Sequence, residues 1–141
     1  MALKKSVAPL EKALPRCPYF GECGGCDYQD LPYAQELRLK EEMLRQLVQE
    51  HIDSADLLRP IIPSPLEYNY RQRIDLKLQR TRGGVLIGFT PKTGLGILPI
   101  DECAIALPAI NQRIAAIKTE ALEKITEKHR QANITIRTGA G

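Results

Sequence analysis

Cys17-Pro18-Tyr19-Phe20-Gly21-Glu22-Cys23-Gly24-Gly25-Cys26-Asp27-Tyr28-Gln29 holds three of the four cysteines in the chain. The fourth, Cys103, stands far downstream, so the pattern is C-x5-C-x2-C, a long gap, and one more C. Three thiols in one short loop are too many for packing residues, and so short a loop folds back easily enough to bring them to one point. Gly24 and Gly25 lack Cβ atoms, so a left-handed backbone is open to them and their N–H groups can approach a bound centre closely. Pro18 stiffens the chain after the first thiol. Three local ligands and one remote ligand make a four-thiolate site, which suits zinc or an iron–sulfur cluster. Zinc sites usually pair two C-x2-C knuckles, so the three-plus-one spacing favours a cluster, with structural zinc as the alternative. Asp101 and Glu102 beside Cys103 oppose an anionic cluster, and Arg16 beside Cys17 is placed to offset them.

Composition sets the surroundings of that loop. The chain has 141 residues, 43% of them hydrophobic, enough for a domain with a real core. Aromatic residues are 5% and Trp is absent, so the core must rest on Leu, Ile, Val and Ala. No apolar run approaches a membrane span, and Met1–Lys12 has no continuous apolar stretch of the secretory kind. The expectation is a cytoplasmic chain with reduced thiols, no membrane partner and a monomeric state. Disulfides would fit a secreted protein better. A thioredoxin-type C-x-x-C should open a helix after a strand, and the Pro- and Gly-containing residues before Cys23 do not read as a strand. The net charge is +3, but residues 59–92 carry seven basic and two acidic groups, a local excess of +5. An anionic partner would be sought there.

Periodicity gives an α+β chain with a cysteine-rich cluster loop, two amphipathic helices and a small antiparallel sheet. Residues 1–16 read as a lead-in, 17–58 as the cluster-binding loop and a helix, and 59–141 as a sheet plus helix. Asp30 is placed to cap a helix that runs to about Ile52, with Leu37, Leu44, Leu47, Val48 and Ile52 near one face. Pro60, Pro63 and Pro65 mark a connector. Tyr70 to Arg80 alternates strictly: Ile74, Leu76 and Leu78 face one way, and Arg71, Arg73, Asp75, Lys77 and Gln79 the other. Gly83-Gly84 predicts a hairpin turn, Val85–Phe89 the returning strand, and Ile97–Ile100 a third strand that delivers Cys103. Pro108 opens a helix with Ile110, Ile114, Ile117, Ala121 and Ile125 at helical spacing, ending near Arg130. Asn133–Arg137 alternates again, and a hairpin partner is expected after it, so the chain reads as stopping inside a domain.

Arg71, Arg73 and Lys77 share one strand face, with Arg80, Arg82 and Lys92 nearby and few acids between them. That face is a candidate contact for a phosphate backbone, against the plainer reading of a solvated outer surface. Tyr68 and Tyr70 suit either base stacking or packing where the strand begins. His51 and His129 read as surface residues. No phosphate-binding glycine loop, Ser-His-Asp order or H-E-x-x-H motif is present, and the carboxylates form no convincing acid–base pair.

C-P-Y-F-G-E-C-G-G-C-D-Y-Q, then Tyr33-x-Gln35-x4-Lys40, Tyr70-Arg71-x-Arg73, Gly88-Phe89 and an isolated Cys103 before Asn111 together resemble the iron–sulfur RNA (uracil-5-)methyltransferases. The C-G-G-C loop resembles in particular the type that forms 5-methyluridine in 23S ribosomal RNA. The likeness runs over roughly residues 16 to 141. It implies that Cys17, Cys23, Cys26 and Cys103 ligate one 4Fe-4S cluster. It also implies that the chain is the cluster-bearing, RNA-contacting portion of a larger S-adenosylmethionine-dependent enzyme. In such enzymes a cysteine adds to C6 of a flipped-out uracil, C5 takes the methyl group and a carboxylate removes the C5 proton. Those catalytic groups are expected in a doubly wound domain absent from these residues, so the chain alone is expected to be inactive. The small β-barrel that opens many relatives does not fit in the sixteen residues before Cys17. A four-cysteine zinc module that binds nucleic acid, or a small iron–sulfur electron carrier, are the alternatives.

Overall fold

Strict alternation of branched apolar and polar residues sets the centre of the sheet in the computed structural model, which describes residues 11–51, 57–124 and 131–139. Strand β1 (Arg73–Thr81) buries Ile74, Leu76 and Leu78 to within 2% of full exclusion from water, while Arg73, Asp75 and Lys77 stay exposed. Strand β2 (Gly84–Phe89) returns antiparallel after a two-residue turn, closed where Thr81 pairs with Gly84. Gly84 has φ 127°, a value that suits glycine. Strand β3 (Leu98–Pro99) is shorter than the four residues the pattern suggests, because Pro99 donates no ladder hydrogen bond. Helix α2 (Pro108–Lys124) follows, then strand β4 (Gln131–Arg137). The expected Ile125 and the end of this helix near Arg130 lie outside the described residues.

The sheet order is β3-β2-β1-β4. The partner of β4 is β1, antiparallel, with Ile74 opposite Ile136 and Leu76 opposite Ile134. The strand expected after β4 is therefore not what pairs it here: α2 carries the chain across the sheet and sets β4 beside β1. One face of α2 covers the apolar side of the sheet. Ile110 and Ile114 are fully buried, and Ile117 and Ala121 nearly so. Gly88 is required by close approach, since a Cβ there would lie 1.8 Å from the Leu98 carbonyl oxygen.

Within the described residues the chain forms two units, one from Arg16–Asp27 with Pro65–Gly141 and one from Met1–Pro15 with Tyr28–Ser64. The cysteine loop thus belongs with the sheet. The other unit is built on helix α1 (Tyr33–Val48). Asp30 does not cap it: Pro32 holds the N-cap position with no side-chain bond, and Asp30 pairs with Lys12. Pro32 has no N–H of its own to satisfy, and its carbonyl takes the first helical bonds, from Gln35 (2.8 Å) and Glu36 (3.1 Å). The Tyr33 hydroxyl accepts the Ser64 N–H at 2.8 Å, and the Lys40 ammonium lies 5.2 Å from the Tyr28 ring centre. No residue of α1 is buried; Leu44 is 50% and Leu47 72% exposed. The apolar stripe read from sequence is therefore present but largely uncovered, and Ile52 lies outside the described residues.

Replacing Ile114 by Ala is expected to lower the unfolding free energy by about 2–5 kcal/mol, from lost burial and the cavity left behind. Leu47→Ala is expected to stay within about 0.5 kcal/mol. Urea unfolding followed by circular dichroism separates the two, and equal losses would contradict this assignment of the core.

Candidate metal centre and basic sheet face

The loop from Cys17 to Cys26 is a run of turns tied down at both flanks. On one side it joins the connection between β2 and β3. Gly24 N–H donates to the Thr90 carbonyl (3.2 Å), Lys92 N–H donates to the Glu22 carbonyl (2.8 Å), and Cys23 bridges to Pro91. On the other side the Tyr19 hydroxyl accepts the Asp101 N–H at 2.9 Å and reaches the Asp101 carboxylate at 3.3 Å. Neither Gly24 nor Gly25 uses the left-handed conformation open to it; a positive φ falls to Gly21, at 92°. Gly24 is needed for proximity, since a Cβ there would stand 3.2 Å from the Thr90 carbonyl oxygen. The Gly25 N–H donates to the Cys23 sulfur.

Cys103 arrives from the other direction and is buried, while Cys17, Cys23 and Cys26 are half-buried. Asn111 clamps its backbone from the first turn of α2: the side-chain oxygen accepts the Cys103 N–H at 2.9 Å, and the amide nitrogen donates to the Cys103 carbonyl at 3.2 Å. Burial pushes the Cys103 thiol up. The Ile105 and Ala106 N–H groups, which point at its sulfur, act against that, and Cys26 and Cys17 push it further up. Cys23 is raised likewise by burial, opposed by the Gly25 N–H, raised by Cys26 and Cys17, and opposed by Arg71. Cys17 and Cys26 therefore lie within electrostatic reach of both Cys23 and Cys103. No disulfide joins them, and among the described residues no three His, Cys, Asp or Glu side chains are drawn close enough to hold a single ion as they stand.

The residues fit a thiolate-bound centre in donor chemistry. Cys17 and Cys26 lie near enough to act on both Cys23 and Cys103, N–H groups are aimed at those two sulfurs, and a bound cation would favour the thiolate over the thiol. The charges differ from expectation. Asp101 is neutralised by Lys118 and by the Tyr19 hydrogen bond, which hold its carboxyl below the usual range. Arg16 lies over the Tyr68 ring, 5.1 Å from its centre, and it is Arg71 whose charge reaches Cys23. Tyr68 packs against the core, and Tyr70 is 48% exposed.

Arg73 and Lys77 are exposed along the polar side of β1; Arg71 is exposed too but precedes the strand, bridging to Ala106 instead of extending β1 back to Tyr70 as expected. Register adds a residue that the sequence reading missed: Arg137 stands directly opposite Arg73 on β4. The alternation of β4 already turned Arg137 away from the core; what sequence lacked was the knowledge that β4 lies beside β1. Arg73 is paired with Asp75 at 2.9 Å, whereas Arg71, Lys77 and Arg137 form no ion pair among the described residues. The Thr135 hydroxyl bonds Asp75 from the neighbouring strand at 2.5 Å. His51 is exposed, as read, and His129 lies outside the described residues.

No family model matches the chain. Individual proteins do. The tRNA (uracil(54)-C(5))-methyltransferase of Schizosaccharomyces pombe is 34% identical over 95% of this chain and 28% of its own length. The 23S rRNA (uracil(1939)-C(5))-methyltransferase of Vibrio parahaemolyticus is 36% identical over 77% of this chain and 24% of its own. The chain belongs to the RNA (uracil-C5)-methyltransferase family. It spans about a quarter of the length of the curated relatives it matches, among them an RNA methyltransferase from Aquifex aeolicus at 34% identity over 85% of this chain. Several residues on which the resemblance was read have a visible task here. Asn111 holds Cys103, Gly88 admits Leu98, and Tyr33 holds Ser64.

Asp75 offers a check on the basic face. Its carboxyl is held below the ordinary range first by the Thr135 hydroxyl and then by Arg73. A depressed native value means that its stabilising contribution is complete above the ordinary carboxylate range and is lost as pH falls through the depressed value. Thr135→Val is expected to move the Asp75 midpoint upward in a carboxyl-carbon NMR titration. An unmoved midpoint would contradict the cross-strand bond.

Proposed function

We propose that this chain is the cluster-holding, RNA-contacting portion of an S-adenosylmethionine-dependent RNA (uracil-C5)-methyltransferase that forms 5-methyluridine in 23S ribosomal RNA. The observation that supports the reading is that Cys103, far away in sequence, lies within electrostatic reach of Cys17 and Cys26 in the loop, which also act on Cys23. The four thiols would hold a 4Fe-4S cluster. Bound there, the cluster supplies four metal–sulfur bonds that fasten the loop to the segment bearing Cys103, a structural task. S-adenosylmethionine supplies the methyl group in the complete enzyme, at a site outside these residues. Burial limits solvent at Cys103, and N–H groups favour the charged sulfur at Cys23 and Cys103. The relatives named above support an RNA uracil substrate; the C-G-G-C loop supports the ribosomal one.

The role in RNA contact rests on the outer sheet face. Arg73, Lys77 and Arg137 place three cations along two adjacent strands and Arg71 adds a fourth just before β1, with Asp75 as the acid among them. Phosphate contact by such a face is sequence-independent and salt-sensitive. It would position an RNA, and the identity of the uridine would be read elsewhere.

Anaerobic purification with reconstitution is expected to give iron and sulfide in near-equal amounts and a broad brown absorption band. Cys103→Ser is expected to lower bound iron strongly, and Asn111→Ala to lower it partly by freeing the Cys103 backbone. Zinc without iron would overturn the cluster assignment in favour of a zinc module. For the RNA role, Arg73→Ala and Arg137→Ala are each expected to reduce the slope of log affinity against log salt by about one. Unchanged slopes in both would return the face to plain solvation. A reversible redox couple without RNA affinity would favour an electron carrier.

A further inference from the structure

Beyond Arg73 and Asp75 on β1, the outer face carries a cavity of about 400 Å³ that the phosphate-contact reading does not use. Its floor is β1 and β4. The register sets Lys77 opposite Asn133 and Gln79 opposite Gln131, so their side chains stand in two adjacent rows. Its wall is the connection between β2 and β3, which contributes Gly96 and Ile97. The wall can stand there because Gly88, the β2 neighbour of Lys77, has no side chain, and the Leu98 backbone passes over the place a Cβ would fill. Gly94 and Gly96, at φ 78° and 81°, let the connection bend back over the sheet.

The lining has a specific chemistry. Three primary amides and one ammonium surround the space, with Leu78, Ile97 and Ala132 as its apolar residues, and no carboxylate lines it. Among the described residues none of Lys77, Gln79, Gln131 and Asn133 has a side-chain hydrogen-bond or ion-pair partner. Each amide offers a donor and an acceptor side by side, the pattern that complements the edge of a nucleobase. The ammonium suits the adjoining phosphate, and Ile97 can cover a base face. The volume lies within the range of about 300–1,000 Å³ usual for small-ligand sites. In a duplex the bases are stacked and their edges paired, so a pocket that takes one base selects single strands.

We infer that this cavity binds one nucleotide of single-stranded RNA, with Gln79, Gln131 and Asn133 on the base edge and Lys77 on the phosphate. The inference rests on the RNA reading above and adds to it a strand preference that phosphate contacts alone do not give. It holds a nucleotide that is positioned, since its lining carries no thiol, hydroxyl or carboxylate side chain and its ammonium is assigned to the phosphate.

The test is fluorescence anisotropy with a labelled single-stranded RNA of about ten nucleotides and with the duplex of the same sequence, over a salt series. Folding is checked by circular dichroism, which the exposed positions 131 and 133 are expected to leave unchanged. The double variant Gln131→Ala, Asn133→Ala is expected to weaken single-strand binding about tenfold with the salt slope intact, and to leave duplex binding nearly unchanged. Lys77→Ala is expected to lower the slope by about one. Single-strand affinity in the double variant equal to that of the unaltered chain, or equal losses for single strand and duplex, overturns the pocket. If Arg73→Ala and Arg137→Ala still reduce the slope in that case, the pocket falls and the RNA face stands. If they do not, both fall.

Discussion

The segment from Asp101 to Leu107 is the constraint on which the larger unit depends. It has no regular structure, yet Cys103, Ile105 and Ala106 within it are buried. Buried irregular backbone must find partners for its polar groups or lose several kcal/mol of stability. Here partners come from four places. Tyr19 accepts from Asp101, and Asn111 bonds both backbone groups of Cys103. Arg71 pairs its backbone with Ile105 and Leu107, at 2.7 and 3.0 Å, and Asn69 N–H donates to Ala104 at 3.1 Å. Asn69 sits at φ 56°, a conformation asparagine tolerates better than most residues. With its amide turned nitrogen-inward, as its acceptor-only surroundings require, it also reaches the Ala104 and Ala106 carbonyls at 3.3 and 3.2 Å. The segment is thus fixed before any metal is considered, and the Cys103 sulfur is presented rather than merely carried.

Electrostatics then connects the thiols to the sheet face. Arg71 is pinned by its backbone beside Cys103's segment, while its guanidinium charge reaches both Cys23 and Asp75. One cation therefore lies between the sulfur group and the basic strand. A thiolate centre carries negative charge and would repel a nearby phosphate backbone. Arg71 offsets that repulsion at the place where the two would meet, and the Lys118–Asp101 pair removes another negative charge near Cys103. The expected helper, Arg16, is engaged on the Tyr68 ring. Position next to a cysteine in sequence said nothing about position next to its sulfur in space.

That contrast marks what was legible from residues alone. The two helices, the β1–β2 hairpin and the buried set Ile74, Leu76, Leu78, Ile110 and Ile114 follow from period and turn chemistry, which are local properties. The four cysteines stood out as one candidate site because four thiols have few other uses in one short chain, and Cys103 does lie within electrostatic reach of Cys17 and Cys26. Register was not readable. Nothing near Arg137 in the sequence says that it will face Arg73, because the β1–β4 pairing spans the whole of α2. Helix α1 shows the opposite failure. Its leucine spacing is clear, but periodicity reports which face is apolar, not whether anything covers it, and Leu47 stays 72% exposed. The Asp30 cap failed for a local reason, since Pro32 fixes the backbone where a capping side chain would have had to work.

The connection between β2 and β3 ties these features into one device. Its first residues, Thr90 to Lys92, are hydrogen-bonded to the cysteine loop at Glu22 and Gly24. Its last residues, Gly96 and Ile97, lean over the outer face because Gly88 leaves room for the Leu98 backbone. One end therefore reports the order of the thiol loop and the other forms the wall of the polar cavity. A loop of this kind, with two left-handed glycines and Leu95 82% exposed, has little packing of its own to hold it. Its shape is set at its ends. Fastening the cysteines to Cys103, as proposed above, would fix the first end without touching the second. A centre held there would in this way act on the outer sheet face through the loop between β2 and β3.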